Sequence, residues 1–145
     1  EREGLEISED GIEAIKYVSQ GDMRKAINAL QASALIDDVI DKDTIYKITA
    51  TAHPEEIEAL VQKALDGNFK AARETMEKLM SEQGLSGEDI VGQIYRAIFN
   101  LDISEKLMVE LIDKIGETDF RLTEGANERI QLEALLAHFT LSQLE

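Results

Sequence analysis

The stretch of this chain best suited to chemistry lies at positions 21–31, Gly-Asp-Met-Arg-Lys-Ala-Ile-Asn-Ala-Leu-Gln. Asp22 is a favoured helix N-cap, because its carboxylate can accept a hydrogen bond from a free N–H of the first turn. Arg24 and Lys25 then fall in that first turn, where the helix dipole makes each cation unfavourable by about 0.3–1 kcal/mol. The pattern predicts either an anion bound near the helix start or a solvated arginine paired with a nearby carboxylate.

Other motifs that would support catalysis or metal binding are missing from the sequence. It contains no Gly-rich phosphate loop of the form G-x-x-x-x-G-K-[ST], no cysteine and no Glu-x-x-His pair. Its two histidines, His53 and His138, are far apart in the chain. We therefore predict no metal site and no catalytic residue within this segment. An enzyme built on a pair of carboxylates stays an alternative with no particular residue to carry it.

Composition limits the classes of partner. The formal net charge is −15, from 30 acidic and 15 basic residues, and the basic residues are scattered along the chain. Such a surface repels phosphate backbones, so we predict no direct nucleic-acid binding by this segment. No apolar run is long enough to cross a bilayer and none resembles a signal peptide. Together with the absence of cysteine, this favours a cytoplasmic, intracellular protein.

Apolar spacing predicts helices throughout, with no alternating strand pattern. We expect a first helix capped by Ser8, a second from Asp22 toward Leu35, and a third near 43–49. The apolar side of the second helix is predicted to comprise Met23, Ala26, Ile27, Leu30 and Ala34. Its other side presents Arg24, Asn28 and Gln31 at helical spacing.

A boundary is expected at Pro54, the only proline, which suits the first position of a helix. We therefore predict one small domain over 1–52 and a second over 53–145 with five helices. Caps in the second domain are predicted at Ser86 with Asp89, at Ser104 and at Asn127. The helices at 90–99 and 130–141 are apolar over wide arcs, so each is either central in its bundle or packed against another chain.

Several segments resemble one family, and they come in that family's order. They are residues 21–31, Tyr-Lys-Ile-Thr at 46–49, Gly-Glu-Asp-Ile at 87–90, and the run Asp-Phe-Arg-Leu-Thr-Glu-Gly-Ala-Asn-Glu-Arg-Ile-Gln-Leu at 119–132. The chain is similar to the AAA+ clamp-loader ATPases, in particular archaeal small subunits of replication factor C. The resemblance spans nearly the whole chain, and its C-terminal run is the most specific part.

The resemblance implies an all-α fold with two parts. Residues 1–52 would be the three-helix AAA+ lid domain and residues 53–145 the five-helix collar bundle, which in the family joins subunits into a ring. Arg24 would be the sensor 2 arginine that reaches the γ-phosphate of ATP on the subunit's own ATPase core. Met23 and Ile27 would contact the base or the core, or else lie in the interior of the lid.

The same resemblance implies cofactors and partners for the complete subunit. ATP and Mg²⁺ would bind the ATPase core, whose motifs are not in this sequence, so the segment alone should have no ATPase activity. Its partners would be other small and large clamp-loader subunits, a sliding clamp and primer–template DNA. The alternative is a free-standing helical adaptor without a nucleotide role. An upstream segment with a phosphate loop would exclude that alternative.

Overall fold

A computed structural model describes residues 5–144, and helices dominate them, which confirms the all-α prediction. In chain order the elements are β1 (Glu6–Ile7), α1 (Glu9–Ser19), α2 (Met23–Ala34), β2 (Val39–Ile40), α3 (Lys42–Ile48), α4 (Pro54–Leu65), α5 (Phe69–Ser81), α6 (Gly87–Ile98), α7 (Glu105–Thr123) and α8 (Glu128–Ser142). The chain divides into two compact units, residues 1–51 and 52–145, called here the first and second units. Ala52, the last residue of the expected first domain, lies in the second unit.

Helix starts follow the side chains that the sequence offers as caps. The predicted caps are confirmed: each accepts a hydrogen bond from an N–H of its first turn, at Ser8, Asp22, Ser86, Ser104 and Asn127. Ser86 and Asp89 form the predicted reciprocal capping box. Pro54 occupies the first helical position of α4, as expected. These agreements reflect interactions that span only three or four residues.

The first unit contains a feature that the sequence pattern missed, a short parallel strand pair. Glu6 pairs with Val39 and Ile7 with Ile40. Each strand has only two residues, which is too short for an alternating pattern to be recognised. The pair brings β2 against the start of α1, where a Cβ on Gly11 would come within 2.6 Å of the Ile40 carbonyl oxygen. Glycine at position 11 therefore permits the close approach of these two backbones.

The core of the first unit is small. Its buried apolar residues are Ala14, Ile15, Ile40, Ile45 and Tyr46. The rings of Tyr17 and Tyr46 meet edge to face, with centroids 6.1 Å apart. A unit of this size buries a small share of its surface, so little hydrophobic stabilisation is available to it alone.

The second unit has a larger continuous core, to which every one of its five helices contributes. Its fully buried side chains include Ile57, Leu60, Ile94, Leu132 and Phe139. Two ion pairs connect α5 and α8 at the edge of this core. Arg73 Nε lies 2.7 Å from Glu133 Oε1, and Arg129 Nη1 lies 2.7 Å from Glu77 Oε2.

Candidate functional site

The first turn of α2 presents Arg24 on a capped helix end. The Asp22 carboxylate accepts hydrogen bonds from the backbone N–H groups of Arg24 at 2.9 Å and Lys25 at 3.4 Å. Because Asp22 takes up these donors, the side chain of Arg24 is better placed than the backbone to meet an anion. The Arg24 side chain is exposed, and no ion pair joins it to any of residues 5–144. The carboxylate pairing that the sequence left open is therefore not found in this range.

The exposed face of α2 is more apolar than expected. Met23 is 72% exposed and Ile27 is 45% exposed, so of the two alternatives predicted for them, a place in the interior of the first unit is wrong. The buried positions are instead Ala29 and Ser33. Their small side chains allow α2 to pack closely against α1 and α3, in an orientation that leaves Met23 and Ile27 facing solvent.

A groove of about 1030 Å³ runs along the C-terminal half of α2 beside the strand pair. The residues that line the groove lie in or next to α2 and the two strands, and most are apolar: Leu5, Glu6, Ile7, Asn28, Leu30, Gln31, Ala32, Ala34, Leu35, Asp38 and Ile40. Leu35, at one end, is 89% exposed. Asn28 and Gln31 follow Arg24 at helical spacing, so the cation and the groove share one side of α2.

Sequence reasoning identified Arg24, Asn28 and Gln31 as one side of α2 but not the groove beside them. A usable signal was present, because residues 26–36 form an 11-residue run without a charged side chain in a chain that is 31% charged. An uncharged run with exposed apolar side chains such as Ile27, Leu35 and Ile36 favours contact with other polypeptide. The strand residues that complete the groove had no local signal.

Other candidate chemistry is not assembled in the described part of the chain. Residues 5–144 contain no cluster of three or more His, Asp or Glu side chains that could hold a metal ion. His53 lies at the N-terminus of α4, whereas His138 lines a separate cleft of about 210 Å³ between α7 and α8. Within the same range no helix is both long and apolar enough to cross a membrane.

One carboxylate has a clear electrostatic role in the fold. The backbone N–H and the hydroxyl of Thr44 both donate to Asp41 Oδ1, at 2.9 and 3.0 Å. These hydrogen bonds stabilise the charged form and lower the pKa of Asp41. Asp41 caps α3, so the shift reflects a helix start and not a catalytic site.

Fold and site together define a class of protein: an all-helical chain of two compact units with apolar side chains exposed on its surface. Residues 52–138 match the family described as Replication factor C C-terminal domain. The match covers more than half of the chain, and the chain belongs to this family.

Relatives extend the similarity into the first unit. Replication factor C small subunits from Archaeoglobus fulgidus and Methanosarcina barkeri are each 61% identical, over 97% and 95% of this chain. The Halobacterium salinarum small subunit is 52% identical over 98% of this chain. The resemblance to archaeal small subunits is thereby confirmed. The chain spans 44% of the length of each of these three relatives.

Proposed function

We propose that this chain is the lid and collar part of a clamp-loader subunit. The lid, residues 1–52, senses the state of bound nucleotide, and the collar, residues 53–145, joins neighbouring subunits. The complete ring would then load a sliding clamp onto primer–template DNA. The observation that carries the proposal is Arg24, which is exposed on a capped helix start beside a mostly apolar groove, in a chain of the replication factor C family.

The groove supports docking of a larger body on the first unit. This unit has a small core of its own, yet it exposes Met23, Ile27 and Leu35 to solvent. Burying those side chains would stabilise the unit by roughly 1.5–3 kcal/mol for each one fully covered. The relatives are more than twice as long as the matched segment, which disfavours the free-standing adaptor. We assign the ATPase core of the complete subunit as the body that docks there.

Arg24 would sense the nucleotide that the ATPase core holds. Its guanidinium is a permanently charged, planar donor that can bind two phosphate oxygens at once. ATP with Mg²⁺, held by the core, would supply the γ-phosphate charge that this donor recognises. Asp22 orients the first turn, while Met23 and Ile27 contact the core beside it. When the γ-phosphate charge is lost, Arg24 loses its partner and the first unit is released from its docked position.

The second unit would serve assembly and not nucleic-acid contact. Its surface shares the acidic character of a chain with a net charge of −15, which disfavours contact with DNA phosphates. The proposed partners are therefore protein surfaces: neighbouring small and large subunits through the collar. The clamp and DNA would be contacted by other parts of the complete complex, inside the cell.

The test compares Arg24→Ala with Lys25→Ala in the complete subunit. Both residues are exposed in the same turn, but they point in directions about 100° apart around the helix. We expect Arg24→Ala to reduce ATP-driven clamp loading by roughly tenfold or more, the loss of one charged hydrogen-bonded contact. Ring assembly, measured by sedimentation, should be unchanged in both variants, and Lys25→Ala should load normally. Normal ATP-driven loading by Arg24→Ala would remove the basis for the sensing role.

A further inference from the structure

The cleft between α7 and α8 reverses the charge balance of the chain. The chain has 30 acidic and 15 basic residues, but the cleft has two cations, Lys114 and Arg121, and one carboxylate, Glu117. The groove beside α2, by comparison, is lined by Glu6 and Asp38 and by no basic residue. We call this opening the α7–α8 cleft. Its lining residues are Lys114, Glu117, Thr118, Arg121, Gln131, Ala134, Leu135 and His138.

The two cations converge on a single carboxylate oxygen. Lys114 Nζ lies 3.2 Å from Glu117 Oε2, and Arg121 Nη2 lies 3.9 Å from the same atom. The longer contact exceeds hydrogen-bond distance, so the guanidinium N–H groups stay available to another acceptor. Because one carboxylate balances only one of the two positive charges, a second anion close to both is attracted to the cleft.

The α8 side of the cleft contributes polar side chains that are not otherwise bonded. No hydrogen bond or ion pair joins the side chain of Gln131 or His138 to any of residues 5–144. Each side chain has at least one N–H donor, from the amide or from the imidazole ring. Both residues are partly buried. Partly buried donors without a protein partner bond to water or to a ligand.

The direction of the two helices places these groups along one cleft. Residues 124–127 are a short connection between α7 and α8, so the helices run in opposite directions. Arg121 and Gln131 are therefore close to the connection, whereas Lys114 and His138 lie roughly two to three turns away from it. Each end of the cleft thus has a cation from α7 and a neutral donor from α8.

The volume of the cleft limits what it can hold. At about 210 Å³ it is smaller than the roughly 300–1,000 Å³ of pockets that hold drug-sized molecules, so a nucleotide does not fit. A single oxyanion is small enough. The planar guanidinium of Arg121 binds phosphate or carboxylate through two parallel N–H bonds, and Lys114 adds a mobile point charge.

We propose that the α7–α8 cleft is a binding site for one small oxyanion, either phosphate or a carboxylate group. Lys114 and Arg121 supply the charge, and Gln131 and His138 supply neutral donors from the other helix. Glu117 occupies the two cations when the anion is absent, so it competes with the anion. The site requires neither nucleotide nor a neighbouring subunit, and it therefore stands apart from the function proposed above.

The test uses NMR of the 145-residue chain, which has only two histidines, while inorganic phosphate is added at constant pH. The imidazole signals of His138 should move along a saturable curve, with half-saturation at roughly 1–10 mM. Those of His53, at the N-terminus of α4 and outside the cleft, should not follow it. Sodium chloride at the same ionic strength should not reproduce the curve, because it only screens charge.

A parallel titration with acetate identifies the source of the oxyanion. Half-saturation at a lower concentration of acetate than of phosphate would assign a carboxylate, such as an acidic side chain of another protein. The reverse order would assign phosphate.

Loss of either cation should weaken binding of the anion. Lys114→Ala and Arg121→Ala should each raise the concentration for half-saturation roughly tenfold, the loss of one charged hydrogen bond. Lys106→Ala is the control, since Lys106 is exposed on the same helix but does not line the cleft. Circular dichroism should show that all three variants fold, because all three side chains are exposed or partly exposed.

Loss of the competing carboxylate should have the opposite effect. Glu117→Gln should lower the concentration for half-saturation roughly threefold or more, because both cations then lack an internal partner. Glu110→Gln is the control: it changes the net charge equally, at an exposed position of α7 outside the cleft, and should leave binding unchanged.

Three results would overturn the site. The first is no saturable movement of the His138 signals up to about 50 mM phosphate, or a curve that sodium chloride reproduces. The second is equal binding by Lys114→Ala, Arg121→Ala and Lys106→Ala. The third is a Glu117→Gln variant that binds no better than Glu110→Gln, since the anion would then lie elsewhere.

Discussion

The side-chain amide of Gln93 both accepts from and donates to the backbone of Ala52. Gln93 Oε1 accepts from the Ala52 N–H at 3.0 Å, and Gln93 Nε2 donates to the Ala52 carbonyl at 2.8 Å. Both residues are buried, and they lie 41 positions apart in the chain. Gln93 lies on α6, and Ala52 is the first residue of the second unit. The two hydrogen bonds therefore hold the start of the second unit against α6.

Replacement of Gln93 by alanine should therefore destabilise the second unit. The change leaves a buried N–H and a buried C=O without partners, at a cost of about 2–4 kcal/mol for the two. Urea unfolding followed by circular dichroism measures this cost. Gln62→Ala is the control, since Gln62 is exposed and bonds only to a surface carboxylate; its effect should stay within about 0.5 kcal/mol. A cost below about 1 kcal/mol for Gln93→Ala would show that water or a shifted backbone replaces the lost bonds.

Two glycines inside helices should respond in opposite ways to alanine. A Cβ at position 11 would come within 2.6 Å of the Ile40 carbonyl oxygen, whereas one at position 116 meets no atom within 4 Å. Gly11→Ala should destabilise the first unit by about 1–3 kcal/mol, because the strand pair must shift. Gly116→Ala should stabilise the second unit by up to about 1 kcal/mol through helix propensity. Thermal unfolding measures both, and equal effects would contradict the close approach of α1 and β2.

Asp41 should make the first unit sensitive to acid. Its pKa is lowered in the folded state by the hydrogen bonds from Thr44, so the charged form stabilises the fold. That contribution is complete above the unfolded pKa of about 3.8 and is lost as the pH falls through the lower folded pKa. In Asp41→Asn the cap remains but the charge is absent. The difference in unfolding free energy between wild type and Asp41→Asn should therefore be positive at about pH 7 and disappear as the pH falls through the lowered pKa of the folded state.

Urea unfolding at several pH values measures that difference. Asp102→Asn, at an exposed position between α6 and α7, is the matched control. The loss of unfolding free energy in Asp41→Asn should exceed that in Asp102→Asn only at pH values above the acid range. A difference for Asp41 that grows as the pH falls would have the wrong sign for a lowered pKa.

The two ion pairs between α5 and α8 should contribute little individually. Arg73 pairs with Glu133 and Arg129 pairs with Glu77, and the side chains of both pairs are partly exposed. On each helix the two residues involved are four positions apart. A double-mutant cycle on Arg73 and Glu133 should give a coupling of about 0.2–1 kcal/mol. The coupling should fall when the salt concentration rises from about 0.05 to about 1 M. A coupling that is insensitive to salt would indicate a desolvated pair.

The clearest success of sequence reasoning concerns local structure. Caps at Ser8, Asp22, Ser86, Ser104 and Asn127, and the proline start of α4, were all predictable. Each depends on hydrogen bonds or backbone angles within one turn, which the neighbouring residues decide. The family was likewise predictable, because its motifs lie in continuous segments. The sensing role of Arg24 stays a prediction that the Arg24→Ala experiment tests.

By itself, then, the sequence determined the helices, their capped starts and the family. The tertiary structure decided which side of each helix is covered. Met23 and Ile27 belong to an apolar stripe, but the small residues Ala29 and Ser33 pack inward and leave these two side chains exposed. The groove beside Leu35 and the Gln93 bonds to Ala52 likewise depend on residues that are distant in the chain. The physical reason is that helix formation is governed by contacts within four residues, whereas burial is governed by whichever surfaces meet after the helices have formed.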